Sequence, residues 1–161
     1  MVLAFTGHRP EKLPWGSDEN DPRCQALKLQ LQTKIREEIH SGTVTFFCGM
    51  ARGCDFYFAE AVLALKQEHP QITLEAFLPC QSQPSRWGSA DRQRYHDLLS
   101  RCDRVHLLRR DYTAGCMLER NRRMVDRADG LMSVWDGSAG GTEATVRYAL
   151  RQGKPVIALW L

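Results

Sequence analysis

Short apolar runs alternate along the chain with longer segments in which apolar residues recur every three or four positions. Short runs of apolar and β-branched residues bounded by glycine, proline or polar residues predict strands. The four-residue spacing of Leu27, Leu31, Ile35 and Ile39 is typical of one buried helix face. We therefore predict strands over 2–6, 43–48, 72–78, 105–108, 131–135 and 156–160, and helices over 24–40, 55–67, 88–101, 115–128 and 141–152.

This alternation of strand and helix predicts a parallel sheet. Several strands are apolar on both faces, as expected of a sheet that helices cover on both sides. Right-handed crossovers would bring the carboxyl ends of the strands to one edge, where open α/β sheets bind ligands. We predict a three-layer α/β fold, an open parallel sheet with helices on both faces, forming one domain over 1–161. The loops over 10–22 and 79–90 are candidate lids.

Three predicted strands end at that edge in turns that contain glycine: Gly7-His8-Arg9, Gly49 to Gly53, and Asp136 to Thr142. Glycine lets a ligand approach the backbone, and the following helix offers unpaired N–H groups with a partial positive charge. The pattern favours a phosphate site, although turns also use glycine for their own conformation. Neither a G-x-G-x-x-G fingerprint nor a P-loop lysine motif is present, which argues against ordinary dehydrogenases and ATPases.

Arg120 is a candidate cation for that site. We expect four residues of its helix to face the sheet: Met117, Asn121, Met124 and Ala128. Arg120 would lie at the edge of this stripe, where packing fixes it and its guanidinium reaches the strand ends. The alternative is an ion pair with a nearby acid: Glu119, Asp126 or Glu143. Arg122 and Arg123 are interpreted as surface residues.

Four further side chains have both a functional and a structural interpretation. His8 is a candidate acid–base group or phosphate donor, or simply a hydrogen-bonding turn residue. Asp55 follows a turn, where helix capping is common. Glu143 could bind a ribose hydroxyl or assist proton transfer, or complement the helix dipole. Trp87 could stack on a base or pin its loop to the core.

Charge and composition narrow the partners. The net charge is +3, but residues 86–127 hold eleven of the seventeen arginines, no lysine and only six acids. Arginine without lysine suggests forked contacts to phosphate or carboxylate, and the alternative is a solvated surface with local ion pairs. The six cysteines form no C-x-x-C pair or zinc spacing, so we expect free thiols and no metal site. No apolar run approaches the ~20 residues that span a bilayer, and we expect a soluble cytoplasmic protein.

The segment from Met117 to Met124, followed by Asp129, an apolar strand and Gly-Gly-Thr, resembles the signature of the Lonely Guy (LOG) phosphoribohydrolases. Three further segments resemble the YpsA-like branch of the wider SLOG superfamily: Gly7 to Pro10, Gly49 to Asp55, and Lys154 to Val156. That superfamily includes DNA-processing proteins that bind single strands. The resemblance covers nearly the whole chain and implies a Rossmann-like fold, a homodimer, and a nucleotide-derived ligand such as ADP-ribose or NAD, with no required cofactor.

The chain departs from the hydrolases at the last turn. Their Pro-Gly-Gly is Trp135-Asp136-Gly137 here, with two residues added before Gly141 and Thr142. The positions of the catalytic glutamate hold Ala144 and Thr145, while Glu143 comes one residue early and is rotated by about 100° around the helix. Arg120 matches the catalytic arginine of the hydrolases, but its glutamate partner is missing or displaced.

Three functions follow in order of preference. The first is a module that binds a nucleotide-derived ligand through these residues: Gly7, His8, Arg9, Gly49, Met50, Ala51, Gly53, Asp55, Trp87, Arg120, Asn121, Asp136, Gly140, Gly141, Thr142 and Glu143. The second is a nucleotide N-glycosidase in which Arg120 and Glu143 are catalytic. The third is single-stranded nucleic-acid binding through residues 86–127. It ranks last because acids interrupt its arginines and few aromatic residues accompany them.

Overall fold

The computed structural model describes all 161 residues and contains one six-stranded parallel sheet. The strands are β1 (Val2–Gly7), β2 (Thr45–Cys48), β3 (Thr73–Leu78), β4 (Arg104–Leu107), β5 (Gly130–Trp135) and β6 (Val156–Trp160). The helices are α1 (Pro22–His40), α2 (Cys54–Lys66), α3 (Ser89–Ser100), α4 (Cys116–Arg127) and α5 (Gly141–Arg151). Every predicted strand and helix is present, and the predicted α/β fold with a parallel sheet is confirmed.

Helices cover the sheet on both faces. The larger core joins α1, α2 and α3 to one face, with residues such as Leu31, Phe58 and Leu98 packed on Phe5 and its neighbours. The smaller core joins α4 and α5 to the other face around Met124, Val146, Phe47 and Phe77. These are the three layers that the doubly apolar strands predict. None of the helices has the length and apolar character needed to cross a membrane.

The strand order, β4-β3-β2-β1-β5-β6, reverses at β1. The chain moves outward from β1 to β4 and then returns to the other side of β1 for β5 and β6. In open α/β sheets, a crevice forms outside the carboxyl ends of the strands where the order reverses. The three turns that follow β1, β2 and β5 therefore meet at one place.

The loop over 10–22 is more ordered than predicted. Residues Pro10–Lys12 form a single 3₁₀ turn, and Leu13 and Trp15 are buried in the larger core. Helix α1 begins at Pro22, two residues earlier than predicted, because Pro22 suits a first helical turn and the Asp21 carboxylate accepts a hydrogen bond from Arg23 N at 2.8 Å. The early part of this loop is thereby held against the carboxyl edge of the sheet.

Candidate ligand-binding site

A cavity of about 490 Å³ opens at the carboxyl edge of the sheet, at the point where the strand order reverses. Ten of the predicted ligand-binding residues line it: Gly7, His8, Arg9, Ala51, Asp55, Arg120, Asn121, Gly140, Gly141 and Thr142. They come from the ends of β1 and β2 and the residues just after them, from the first turns of α2 and α5, and from the second turn of α4. Segments more than 100 residues apart in the chain thus contribute to one concave surface.

Arg120 lies on the buried face of α4 rather than at its edge. It is only 3% exposed and shares that face with Cys116, Met124 and Val125, whereas Met117 and Asn121 are half-buried. Met124 and Ala128 of the predicted stripe are buried as expected, but Cys116 and Arg120 are buried in place of Met117 and Asn121. A guanidinium can lie there because its Nη1 donates hydrogen bonds to the backbone carbonyl oxygens of Gly49 and Phe77. Buried donors that are paired in this way avoid the cost of unpaired burial.

None of the three acids that could have paired with Arg120 does so. Glu119 pairs with Arg109, Asp126 accepts a hydrogen bond from Tyr148, and Glu143 pairs with Arg147. The carboxylate that acts on Arg120 is Asp55, which is buried and accepts a hydrogen bond from Ala51 N at 3.0 Å. Burial raises the pKa of Asp55 and lowers the pKa of Arg120, and the attraction between the two charges opposes both shifts.

A chain of side-chain hydrogen bonds connects Arg120 to the glycine turn before α5. Arg120 Nε donates to Asn121 Oδ1 at 2.7 Å, and Asn121 Nδ2 donates to Thr145 Oγ1 at 2.9 Å. The Thr145 hydroxyl in turn donates to the carbonyl oxygen of Gly141 at 2.8 Å. Thr145 thereby ties α4 to the start of α5.

His8 is buried beside the same turn. Its imidazole is 2% exposed, and its Nε2 lies 2.8 Å from Asp136 Oδ1. That oxygen also accepts a hydrogen bond from Ser138 N at 2.9 Å. Hydrogen bonds from Ser138 and His8 hold the pKa of Asp136 below its usual range, so the carboxylate is charged at neutral pH.

Two helices begin at the cavity with unpaired backbone donors. Helix α5 has no side-chain cap, and the N–H groups of Gly141, Thr142 and Glu143 have no acceptor within the chain. Helix α4 is likewise uncapped, and the N–H groups of Met117 and Leu118 have no acceptor. Each helix start carries a partial positive charge, and the two together make this end of the cavity suitable for an anion.

Comparison with known proteins places this geometry in a family. The YpsA family model, described as the YspA SLOG family, matches residues 3–155. The chain belongs to the YspA SLOG family. A UPF0398 protein of Halalkalibacterium halodurans is 31% identical over 143 residues, which cover 88% of this chain and 75% of that protein. A UPF0398 protein of Bacillus pumilus is 26% identical over 155 residues, covering 95% and 81%.

Two solved structures share the fold of this SLOG chain. DNA processing protein A of Helicobacter pylori matches with a TM-score of 0.67 at 19% identity, over 98% of this chain and 64% of that one. The corresponding protein of Streptococcus pneumoniae matches with a TM-score of 0.63 at 15% identity, over 98% and 49%. This chain therefore spans about two thirds of the first protein and half of the second. The resemblance to the YpsA-like SLOG branch is confirmed.

The six remaining predicted residues do not line the cavity of this SLOG domain, but four of them adjoin residues that do. A side chain at Gly49 would meet the Arg120 guanidinium, since a Cβ there would lie 2.7 Å from Arg120 Cζ. Gly53 has a φ of 84°, and a Cβ would lie 2.8 Å from the carbonyl oxygen of His8. Met50 is fully buried with a left-handed φ of 59°. Asp136 contacts the cavity-lining His8, with Oδ1 2.8 Å from the imidazole Nε2.

Trp87 and Glu143 lie outside the cavity lining. The Trp87 indole packs edge-on against Phe56 and Tyr95, at centroid distances of 5.9 and 5.5 Å. These are the contacts expected of a residue that pins its loop to the core. Glu143 accepts a hydrogen bond from Arg147 Nε at 2.7 Å, one turn along the exposed side of α5. Because the Glu143 carboxylate does not line the cavity, bond cleavage that uses Glu143 stays a prediction.

Sequence reasoning missed Lys12, which extends from the 3₁₀ turn across the cavity. Its ammonium group donates to the carbonyl oxygen of Ala139 and lies 3.4 Å from Ser138 Oγ. A Cβ at Gly140 would lie 2.6 Å from Lys12 Nζ, which a flexible lysine could avoid, but the φ of 148° at Gly140 itself disfavours a side chain. Five other lining residues were also not predicted: Phe5, Thr6, Glu11, Met117 and Leu118. Glu11 and Lys12 could have been predicted from their position in the sequence, since they directly follow the turn after β1.

Proposed function

We propose that this protein binds a nucleotide-derived ligand in the cavity at the carboxyl edge of the sheet, with a phosphate group at the start of α5. The observation that carries the proposal is the set of three unpaired N–H groups at Gly141, Thr142 and Glu143, in a helix without a side-chain cap. Uncapped donors at a helix start are a common phosphate site in α/β proteins. Membership of the SLOG family agrees with this assignment.

The charges around the cavity support an anionic ligand. Arg9, Lys12 and Arg120 line it, against two acids, Glu11 and Asp55. Arg9 and Lys12 are exposed, so their charges are available to a ligand that enters from solvent. Arg120 is largely committed to backbone carbonyl groups, and it contributes a fixed positive field more than a flexible contact. A ligand with two linked phosphates could use the donors of both α5 and α4.

The size of the cavity supports a small molecule. About 490 Å³ falls within the range of about 300–1,000 Å³ that is typical of small-molecule sites. Apolar and polar groups are mixed, with Phe5, Met117 and Leu118 beside the backbone donors. This composition suits a ligand with a phosphate end and a less polar sugar or base, such as ADP-ribose, NAD or a nucleoside monophosphate.

Isothermal titration with ADP-ribose, NAD and AMP tests the proposal through Gly141→Asp. No atom lies within 4 Å of a Cβ at Gly141, and an acid in a first turn favours the helix, so the variant should fold. Its carboxylate would stand where the phosphate binds, and we expect at least a tenfold loss of affinity. Gly88→Asp is the matched control, because Gly88 caps α3 in equally open space away from the cavity. No heat with any ligand, or equal affinity of both variants, would contradict the proposal.

Single-stranded nucleic acid is a second candidate ligand class. The structure of Helicobacter pylori DNA processing protein A, which shares this fold, describes single-stranded DNA binding by that protein. In this chain several exposed arginines have no acidic partner, among them Arg86, Arg104 and Arg110. Binding through such residues should weaken steeply with salt, because phosphate contacts release counterions. Titration of labelled oligothymidylate at two salt concentrations checks this, and no shift at low salt would exclude it.

A further inference from the structure

His8 has one ring nitrogen engaged and one directed to the cavity. Nε2 lies 2.8 Å from Asp136 Oδ1, whereas Nδ1 has no hydrogen-bond partner within the chain. Nδ1 is not one of the unpaired side-chain atoms that are fully sealed from solvent. His8 also lines the cavity. The open nitrogen of this otherwise buried ring is therefore accessible from the ligand site.

Asp136 determines which nitrogen of the neutral ring carries the proton. Nε2 lies 2.8 Å from the charged Asp136 Oδ1 and 3.4 Å from the backbone nitrogen of Asp136. The contact to the carboxylate is the shorter of the two and is charge-assisted, so it favours the proton on Nε2. Ser138 N holds the same oxygen at 2.9 Å and keeps it in place. The backbone around the imidazole is equally fixed, since His8 N donates to Val134 and His8 O accepts from Cys54. The neutral ring then presents a lone pair at Nδ1 to the cavity.

We propose that His8 is a proton-dependent contact to the ligand phosphate, oriented by Asp136. A neutral Nδ1 is a hydrogen-bond acceptor, and it repels the oxygen of a bound phosphate. A protonated Nδ1 donates a charge-assisted hydrogen bond to that oxygen. Phosphate binding therefore favours the protonated ring, and the site takes up a proton when it binds. This inference rests on the proposed function of the cavity.

The other charged groups that face His8 set the background of this effect. They are Asp136 from the turn before α5, Asp55 from α2, Arg120 from α4, and Arg9, Glu11 and Lys12 from the segment after β1. Asp136 remains a carboxylate, since hydrogen bonds lower its pKa. Asp55 is the competing titration, because burial raises its pKa.

Calorimetric titration with ADP-ribose in two buffers of different ionisation enthalpy measures the proton uptake directly. The pyrophosphate of ADP-ribose keeps a constant charge between about pH 5 and 8, the range in which histidine titrates, so the ligand does not contribute. We expect uptake of up to about one proton per site and affinity that rises as pH falls, by at most about tenfold per pH unit.

His8→Gln is the decisive variant. A glutamine amide reaches the position of Nε2 and can still donate to Asp136, but it places no titrating group at the Nδ1 position. We expect its affinity for ADP-ribose to vary little with pH and its proton uptake to vanish. Asp55→Asn separates the competing titration, and whatever its affinity it should retain the proton uptake. Circular dichroism confirms that each variant is folded, and the uptake of the unaltered protein remains a test in itself.

The outcomes separate the two proposals. Binding of ADP-ribose without proton uptake, or uptake that survives in His8→Gln, would overturn the role of His8 and leave the proposed function standing. Loss of the proton uptake in Asp55→Asn would assign the proton to Asp55 and would likewise overturn the role of His8. Absence of binding at every pH would overturn both the proposed function and this inference.

Discussion

Replacing Gly49 by alanine should destabilise the fold through a direct push on Arg120. A Cβ at Gly49 would lie 2.7 Å from Arg120 Cζ, 2.8 Å from Nη1 and 3.0 Å from Nε. Ordinary carbon contacts are about 3.5–4.0 Å, so the guanidinium would have to withdraw by roughly 1 Å. Its Nη1 donates to the carbonyl oxygens of Gly49 and Phe77, and this movement would weaken one or both of these hydrogen bonds. A hydrogen bond to a charged donor contributes about 1.5–3 kcal/mol to stability. With one or two of them weakened, we expect Gly49→Ala to lower the free energy of unfolding by about 2–4 kcal/mol.

A double-mutant cycle measured by urea unfolding isolates this contact. In an Arg120→Ala background the added methyl group meets no guanidinium, and Gly49→Ala should then cost close to nothing. The coupling free energy should equal most of the single-variant loss, as for residues in direct contact. Gly141→Ala is the matched control, because its Cβ would meet nothing within 4 Å. An equal loss in both backgrounds would refute the steric explanation and point to the Gly49 backbone itself.

Three further results are expected from side chains elsewhere in the molecule. Burial would raise the pKa of Glu19, but Arg94 and a neighbouring lysine outweigh it and lower that pKa. Glu19→Gln should therefore cost about 1–2 kcal/mol of unfolding free energy at pH 7, a difference that shrinks as pH falls below the ordinary glutamate pKa; equal differences at pH 7 and 3 would contradict this. Thr145→Val should lower stability by about 1–2 kcal/mol and weaken ligand binding, because the Asn121 amide loses its acceptor, while Thr145→Ser should retain both. Burial raises the pKa of Cys102 to about 11 and the other five thiols are buried, so a thiol reagent at pH 8 should react slowly with the native protein and rapidly with six groups after unfolding.

The fold could be predicted because each element carries its own pattern. Strands such as Phe46 to Cys48 are apolar on both faces, and α1 repeats an apolar residue every fourth position. These patterns depend on local sequence and on burial, and both can be inferred without the tertiary structure. The positions of glycine turns after three strands, combined with the rule for parallel sheets, also located the cavity.

The details of the site depend on contacts across the chain, which local patterns do not contain. The sequence placed Arg120 at the edge of the apolar stripe of α4, but it lies on the buried face, where the carbonyl groups of Gly49, just after β2, and of Phe77 in β3 are its acceptors. Lys12 was overlooked because its loop had no periodicity to fix its direction. His8 and Asp136 are 128 positions apart, and only the pairing of β1 with β5 brings them within 2.8 Å.

The place of β1 in the middle of the sheet has a consequence for synthesis on the ribosome. One edge of β1 pairs with β2, which emerges soon afterwards, but the other edge waits for residues 130–134 of β5. At about 5–20 residues per second, the backbone N–H and C=O groups of this edge stay unpaired on the nascent chain for roughly 6–26 s. Until residue 130 of 161 is made, the nascent chain exposes a strand edge that chaperones, or other nascent chains, can bind. The last residues that line the cavity, Gly140 to Thr142, follow β5 in the chain, so the cavity forms only after this edge of β1 can be covered.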